Sequence, residues 1–425
     1  MTGPMHTATD LLAAYRAGSL DPAKVVDDCL ARIAKEDSAL RAWQHVAADA
    51  ARQGARDLPR EVAERALHGV PVGIKDIMET RDMPTTWGTD YLYAERSPWD
   101  AAPVALLRRA GAIPLGKTVS TEMAYFQPGP TVNPHDPNRT PGGSSSGSAA
   151  AVAAGMVPLA LGSQTAASVI RPASYCGIVG FKPSHGLFPL AGVVTLSPSL
   201  DTLGWFARSV DDIALAYGAL LGIAPVQLDS CPLETLRISV GVVPRPAPLE
   251  PAGEQALASV SRKLADAGVT VRELDLPEAV HGLADVHNRL MAFEASRSCA
   301  CIHDAFGDRL SAQLRELLDR GAALGERDHA ECRQALAIQA ARITEGMAEN
   351  ELLLTPSATG EAPEAGAGTG NPIHSRIWTA LGFPSISLPL AHGPNGLPLG
   401  MQLIAPHGHD LRLLAAAREI MTRLG

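Results

Sequence analysis

Between Pro141 and Pro183 the chain is dominated by glycine, serine and alanine, yet it does not read as a linker. Val152, Met156, Val157, Leu159, Leu161, Val169, Ile170 and Ile178 interrupt the small residues at regular intervals. A flexible Gly/Ser spacer carries no such apolar residues, so this stretch predicts backbone packed closely inside a protein core. It contains "PGGSSSGS" at 141–148 and "QTAASVIRPA" at 164–173, which place Ser144 and Ser168 24 residues apart. Neither segment carries a histidine or a carboxylate, so any base serving these hydroxyls comes from elsewhere in the chain.

The pattern around this core is that of an α/β protein. "HGVPVGIKDI" (68–77) reads as a buried strand, and "PVALLRRAGAIPLGKT" as a helix, a glycine stop, a strand and a turn. "LRISVGVVP" (236–244), "EQALASVSRKLADAG" and "TVRELDL" continue the strand–helix–strand alternation, which predicts βαβ units. "ELLLTPSA", "PSISLPL" and "PLGMQLIAP" supply late strands, and Asp410 is expected to cap a final helix. In the N-terminal part, Asp21 and Pro22 mark a helix start. The reading is one compact domain over 1–425, with a large mixed, mostly parallel sheet covered by helices on both faces. Within it, 1–65 is a helical segment, 66–225 a core carrying the chemistry, and 279–348 a helical, variable, substrate-side region.

A net charge of −9 argues against nucleic acid or an anionic membrane as principal partner. The start lacks a charged and then apolar leader, and the longest low-polarity run, 148–162, is too short to span a bilayer and contains Pro158. A cytoplasmic protein is expected. Six cysteines in so long a chain do not suggest a disulfide framework. "CACIH" (299–303) lacks the spacing of a zinc site and reads as helical thiols, so no metal is indicated.

Serine needs a base to become a nucleophile. "GSSSG" (143–147) fits the G-x-S-x-G elbow with Ser145 at its centre, but that elbow requires a preceding strand, and "TVNPHDPNRTPG" is too rich in proline to be one. A phosphate-binding P-loop fails for want of a closing Lys-Ser or Lys-Thr. The chain has thirty arginines and only six lysines, at 24, 35, 75, 117, 182 and 263. Arginine keeps its proton in proteins, whereas a desolvated lysine can lose it. Lys75, inside an apolar run, is the leading candidate for an amine base, although a lysine that snorkels to water fits the same text. Lys117 and Lys182, at strand ends beside turns, are weaker candidates.

Together "GVPVGIKD" and "TPGGSSSGSAAAVAAGMVPLALGSQTAASVIRPASYCGIVGFKPS" resemble the amidase signature family, in particular its malonamidase-like subgroup. The likeness continues through "LLLTPSATGEAP", "WTALGFPSISLPL" and "GLPLGMQLIAPHGHD", and weakens between about 225 and 345. It implies hydrolysis of C–N bonds in amides, carbamates or urea-like substrates, without a metal or organic cofactor. Ser168 is then the nucleophile, Ser144 a proton relay entered through a non-proline cis peptide, and Lys75 the neutral base. Backbone N–H groups of Thr165, Ala166, Ala167 and Ser168 form the oxyanion hole. Ala166-Ala167 departs from the family's Gly-Gly, which would be costly if Ala167 needed a positive φ. Gln164 and Arg171 follow the malonamidase-like spacing; Arg171 is open to two roles, gripping a substrate carboxylate or closing a structural ion pair. Tyr125 and Phe126 are expected near the acyl pocket, and Ser145 and Thr165 as loop supports. The resemblance leaves two alternatives: a catalytically silent relative, or one component of a glutamine-dependent amidotransferase. The expected partner is a small amide or carbamate, with homodimerisation left open.

Overall fold

The computed structural model describes residues 5–59, 65–92, 96–243 and 248–425; Pro244, the last residue of one expected strand, falls outside them. Eleven strands join one sheet: β1 (Trp43–Val46), β2 (Pro71–Lys75), β3 (Ile113–Thr118), β4 (Leu159–Gln164), β5 (Val179–Lys182), β6 (Thr202–Ala207), β7 (Arg237–Val240), β8 (Thr270–Glu273), β9 (Glu351–Pro356), β10 (Ser385–His392) and β11 (Pro398–Ile404). Their order is β1-β3-β2-β4-β6-β5-β10-β11-β9-β7-β8. The α/β class and the mixed sheet agree with the sequence pattern, but the expectation of a mostly parallel sheet is corrected. Only β3/β2, β2/β4, β9/β7 and β7/β8 run parallel, and the other neighbours are antiparallel. The βαβ rhythm governs the two wings, while the centre is built from strands that reverse on their neighbours. β1, β4 and β6 escape the sequence pattern, β1 because it is a short strand set among helices.

Successive side chains of a strand point to opposite faces of a sheet, and here each face finds its own core. Leu159, Leu161, Leu203, Trp205, Leu352, Leu354 and Leu403 pack with the helices Val210–Leu221, Pro251–Asp266 and Asp410–Leu424. The intervening Ala160 and Phe206 join the helices Pro22–Leu40 and Ser146–Ala153 on the other side. Leu353 and Ile404 meet the helices Leu283–Ser298, Ala312–Ala322 and Ile373–Ala380. Helices therefore cover both faces.

Asp21 caps Pro22–Leu40 by accepting from Ala23 N at 2.9 Å, as its sequence signature predicts. Asp410 does not play the expected role: it is the first residue of its helix, and its carboxylate accepts from Ser184 N (2.8 Å) and Ser184 Oγ (2.5 Å).

The small-residue stretch owes its composition to close packing. Helix Ser146–Ala153 is buried along Ser146–Val152, and a Cβ at Gly147 would lie 2.2 Å from Ala42 O and 2.4 Å from Val119 N. Its hydroxyls bind neighbouring strands instead of water. Ser148 Oγ donates to Leu161 O at 2.7 Å and lies 2.6 Å from Thr118 Oγ1. Replacing Gly147 by Ala forces rigid backbone apart, and overpacking of that kind costs roughly 1–3 kcal/mol. A Gly147→Ala variant is expected to unfold at lower urea than the wild type, with the shift in midpoint giving the loss.

Candidate active site

Lys75 closes β2 and is wholly removed from solvent. Its Nζ lies 2.7 Å from Ser144 Oγ and 2.9 Å from Ser163 Oγ. Among the described residues no carboxylate lies within ion-pair distance of it. An ammonium stripped of water and left without a counter-ion loses its proton readily. Burial accordingly lowers the Lys75 pKa to about 7, opposed only by the more distant charge of Asp201. A neutral amine beside a serine hydroxyl is the arrangement that a base requires.

Ser144 stands just before helix Ser146–Ala153, and the Gly143–Ser144 peptide is cis. Gly142 has a φ of +82°, and a Cβ there would sit 2.9 Å from Pro172 Cα. The loop is held at three points. Thr121 N donates to Ser144 O at 3.2 Å, and Gly147 N to Val119 O at 3.0 Å. Arg171 Nη2 donates to Gly143 O at 2.7 Å.

Ser168 follows the end of β4, in a turn leading to helix Ile170–Cys176. Three carbonyls of that turn are drawn outward. Thr165 O accepts from His287 Nε2 (2.8 Å), Ala166 O from Thr379 Oγ1 (2.8 Å) and Ala167 O from Arg171 N (3.0 Å). Burial holds the His287 pKa down to about 3, so its ring is neutral and donates through Nε2. Among the described residues no acceptor meets the N–H groups of 165–168. Neither Ala166 nor Ala167 has a positive φ, so the methyl groups cost no backbone strain and only narrow the space.

These parts converge on one cleft with about 360 Å³ of empty volume. Ser144, Thr165, Ala166, Ala167, Ser168 and Arg171 line it, and Tyr125, Phe126, Leu196, Met291 and Pro372 supply an apolar wall. Tyr125 and Phe126 pack edge to face, 4.9 Å apart. The two serines share the cleft, but their hydroxyls are not hydrogen-bonded to each other among the described contacts.

Gln164 does not belong to the substrate wall, which corrects the expectation for that residue. Its Oε1 accepts from Val169 N (2.9 Å) and Ile170 N (3.0 Å), and its Nε2 donates to Thr379 Oγ1 (2.9 Å). A side chain with both ends occupied and 1% exposure is a scaffold for the turn. Arg171 makes no ion pair among the described residues. Its guanidinium spans Gly143 O, Thr369 Oγ1 (3.0 Å) and Gly370 O (2.8 Å), fastening the Ser144 loop to 369–370. Burial lowers its pKa to about 10, which still leaves it charged at neutral pH. Ser145 supports β4 as expected, its hydroxyl 3.3 Å from both Ser163 N and Ser163 O.

The other buried lysines differ from Lys75. Lys117 Nζ pairs with Asp76 Oδ1 at 3.1 Å and donates to Thr85 Oγ1 at 2.6 Å. Lys182 is lowered to about 7 by burial, yet among the described residues its Nζ donates only to a backbone carbonyl, Pro183 O at 2.8 Å. Sequence reasoning missed Ser163, Asp201, Thr379 and His287, which lie in four separate parts of the chain. Ser163 and Thr379 stand inside quoted motifs and could have been suspected; Asp201 and His287 carry no local signal. Among the described residues no three His, Cys, Asp or Glu side chains gather as a metal site would need, and no helix is long and apolar enough to cross a membrane.

Comparison with known proteins finds the same framework elsewhere. The profile of the family described as Amidase matches residues 24–414. A glutamyl-tRNA(Gln) amidotransferase subunit from Synechococcus sp. is 32% identical over 440 residues, covering 90% of each chain. Its counterpart from Rhodopirellula baltica is 30% identical, covering 97% of this chain and 95% of its own. Among solved structures, one described as an amidase superposes with a TM-score of 0.91 at 30% identity, covering 99% of this chain and all of that one. The native peptide amidase of Stenotrophomonas maltophilia superposes at 0.84 with 26% identity, covering 99% and 98%.

Asp76 and Lys117 are both buried, so removing one partner strands the other charge, at a cost of about 3–5 kcal/mol. Asp76→Ala is expected to lose stability of that order in chemical denaturation, with Asp76→Ala/Lys117→Met recovering a large part of it.

Proposed function

The chain belongs to the amidase family, and on that premise we propose that it hydrolyses amide C–N bonds with Lys75, Ser144 and Ser168 as its catalytic residues. The observation that carries this reading is the buried, unpaired Lys75 amine 2.7 Å from the Ser144 hydroxyl, in a cleft that also holds Ser168. Ser163 Oγ accepts one N–H of the neutral amine, which leaves the nitrogen lone pair for Ser144. Lys75 takes the Ser144 proton while Ser144 takes that of Ser168, and Ser168 Oγ attacks the substrate carbonyl carbon. The resulting oxyanion is met by the backbone N–H groups of 165–168, which have no acceptor among the described residues and so are free to bind it. Collapse breaks the C–N bond, and the proton returns through Ser144 to the departing nitrogen. Water then attacks the acyl-Ser168 ester and gives a proton to Lys75 by the same route; the C–Oγ bond breaks, the acid is released, and that proton returns through Ser144 to Ser168 Oγ. A loose Ser168–Ser144 contact before substrate arrives is compatible with this, since catalytic hydrogen bonds commonly tighten in the complex.

The acyl side of the substrate faces Tyr125, Phe126, Leu196, Met291 and Pro372, a wall suited to a compact, largely apolar group. Met291 belongs to helix Leu283–Ser298, in line with a substrate-side role for the helical segment 279–348. Carbamates present the same carbonyl to the same nucleophile. Six free thiols support a reducing, cytoplasmic setting.

A second reading has its own support: the amidotransferase subunits at 30–32% identity. There the same residues would release ammonia from glutamine for a partner protein. Purified alone, the chain is expected to release amine from small amides or aryl anilides at rates that added glutamine does not match. Glutamine turnover confined to a co-purified complex would instead favour the amidotransferase reading.

Ser168→Ala is expected to lose on the order of 10⁴-fold or more in kcat, and to resist the fluorophosphonate probe that labels the wild type. Ser144→Ala and Lys75→Ala should each lose roughly 10²- to 10⁴-fold. Retained turnover in Ser168→Ala would reject the scheme.

The base works only when deprotonated, and burial sets its pKa at about 7. kcat/KM is therefore expected to rise with pH and level off above about 7, tracing the free enzyme's base. Lys75→Ala should flatten that limb in whatever residual rate remains.

A further inference from the structure

We propose that Asp201 is a positioning residue of this site, holding the oxyanion turn in register with the cleft wall. The inference rests on the triad reading above, but its evidence lies outside the triad. Asp201 immediately precedes β6 and is 7% exposed. Its Oδ1 accepts from Thr165 Oγ1 at 2.6 Å, and its Oδ2 from Leu196 N (2.8 Å) and Ser197 N (2.9 Å). Thr165 opens the turn whose amides meet the oxyanion, and Leu196 is part of the apolar wall, so one carboxylate fastens two separate lining segments. A buried carboxylate is costly unless hydrogen bonds replace its water, and three short donors do so here.

The two amides of 196–197 require Oδ2 to stay an acceptor, while the Thr165 hydroxyl can meet Oδ1 either as donor or, were that oxygen protonated, as acceptor. The charged and titratable groups around it are few. Lys75 feels its charge, as do Cys299 and Glu294. Burial raises the Asp201 pKa to about 6, with Thr165 and the 196–197 amides pulling it back and Glu294 raising it further. Glu294 in turn accepts from Ser197 Oγ (2.6 Å), Ser199 N (3.0 Å) and His329 Nε2 (2.9 Å), which steadies the 197–199 loop from behind.

The test is amide-hydrolysis kinetics on folded variants. In Asp201→Asn and in Thr165→Val kcat should fall roughly 10- to 100-fold while KM changes little, because a displaced turn costs stabilisation of the transition state. Thr165→Ser, which keeps the hydroxyl, should recover most of the loss. Wild-type kcat in Thr165→Val, or no recovery in Thr165→Ser, overturns the proposal. Should Asp201→Asn not fold, the Thr165 pair decides. Turnover surviving in Ser168→Ala would instead sink the triad while leaving the ratio of Thr165→Val to wild-type kcat readable, so the two failures are distinguishable.

Discussion

The site depends on a lysine taken out of water without a counter-ion. Removing an ammonium from solvent costs several kcal/mol when nothing replaces its hydration, and the cheapest remedy is to release the proton. Lys117 is as deeply buried as Lys75 but sits 3.1 Å from Asp76 and finds its compensation there. Lys182 shares the depressed pKa of Lys75, but among the described residues its Nζ meets a backbone carbonyl and no serine hydroxyl. What distinguishes Lys75 is therefore a conjunction: no ion-pair partner among the described residues, and two hydroxyls, at 2.7 and 2.9 Å.

That conjunction requires close packing, and close packing explains the composition. Ser144 reaches Lys75 because the helix behind it is made of residues with almost no side chain, so that Gly147 can lie against the backbone of Ala42 and Val119. Arg171 supplies the complementary restraint by holding Gly143 O and the 369–370 loop together. The turn at 165–168 shows the same economy. His287, Thr379 and the Arg171 amide draw its carbonyls outward, which leaves its amides for the cleft. Gln164 completes the turn by capping the helix that follows Ser168.

Much of this was legible in the text of the chain. Lys75, Ser144 and Ser168 stand inside recognisable motifs, because bond formation demands particular atoms and those atoms come from few residue types. Most strands were legible from apolar runs between turn residues. The strand directions at the sheet centre were not, since a buried strand reads the same whether its neighbour runs with it or against it. Gln164 resembled a substrate ligand because its position in the motif says nothing about which way the amide points. Asp410 looked like a helix cap, but Ser184, 226 positions away, claims its carboxylate.

On its own, then, the order of residues pointed to an α/β chain and, through its resemblance to a family, to Lys75, Ser144 and Ser168 as a candidate site, since periodicity and motifs are local properties. Only the folded chain decided that Ser163 steadies the amine, that Asp201 ties the turn to the wall, and that His287 and Thr379 set the direction of its amides. Asp201 reaches Thr165 across 36 positions, Lys75 reaches Ser163 across 88, and His287 reaches Thr165 across 122. Hydrogen bonds and electrostatic fields act through distance in space, and separation along the chain carries no record of it.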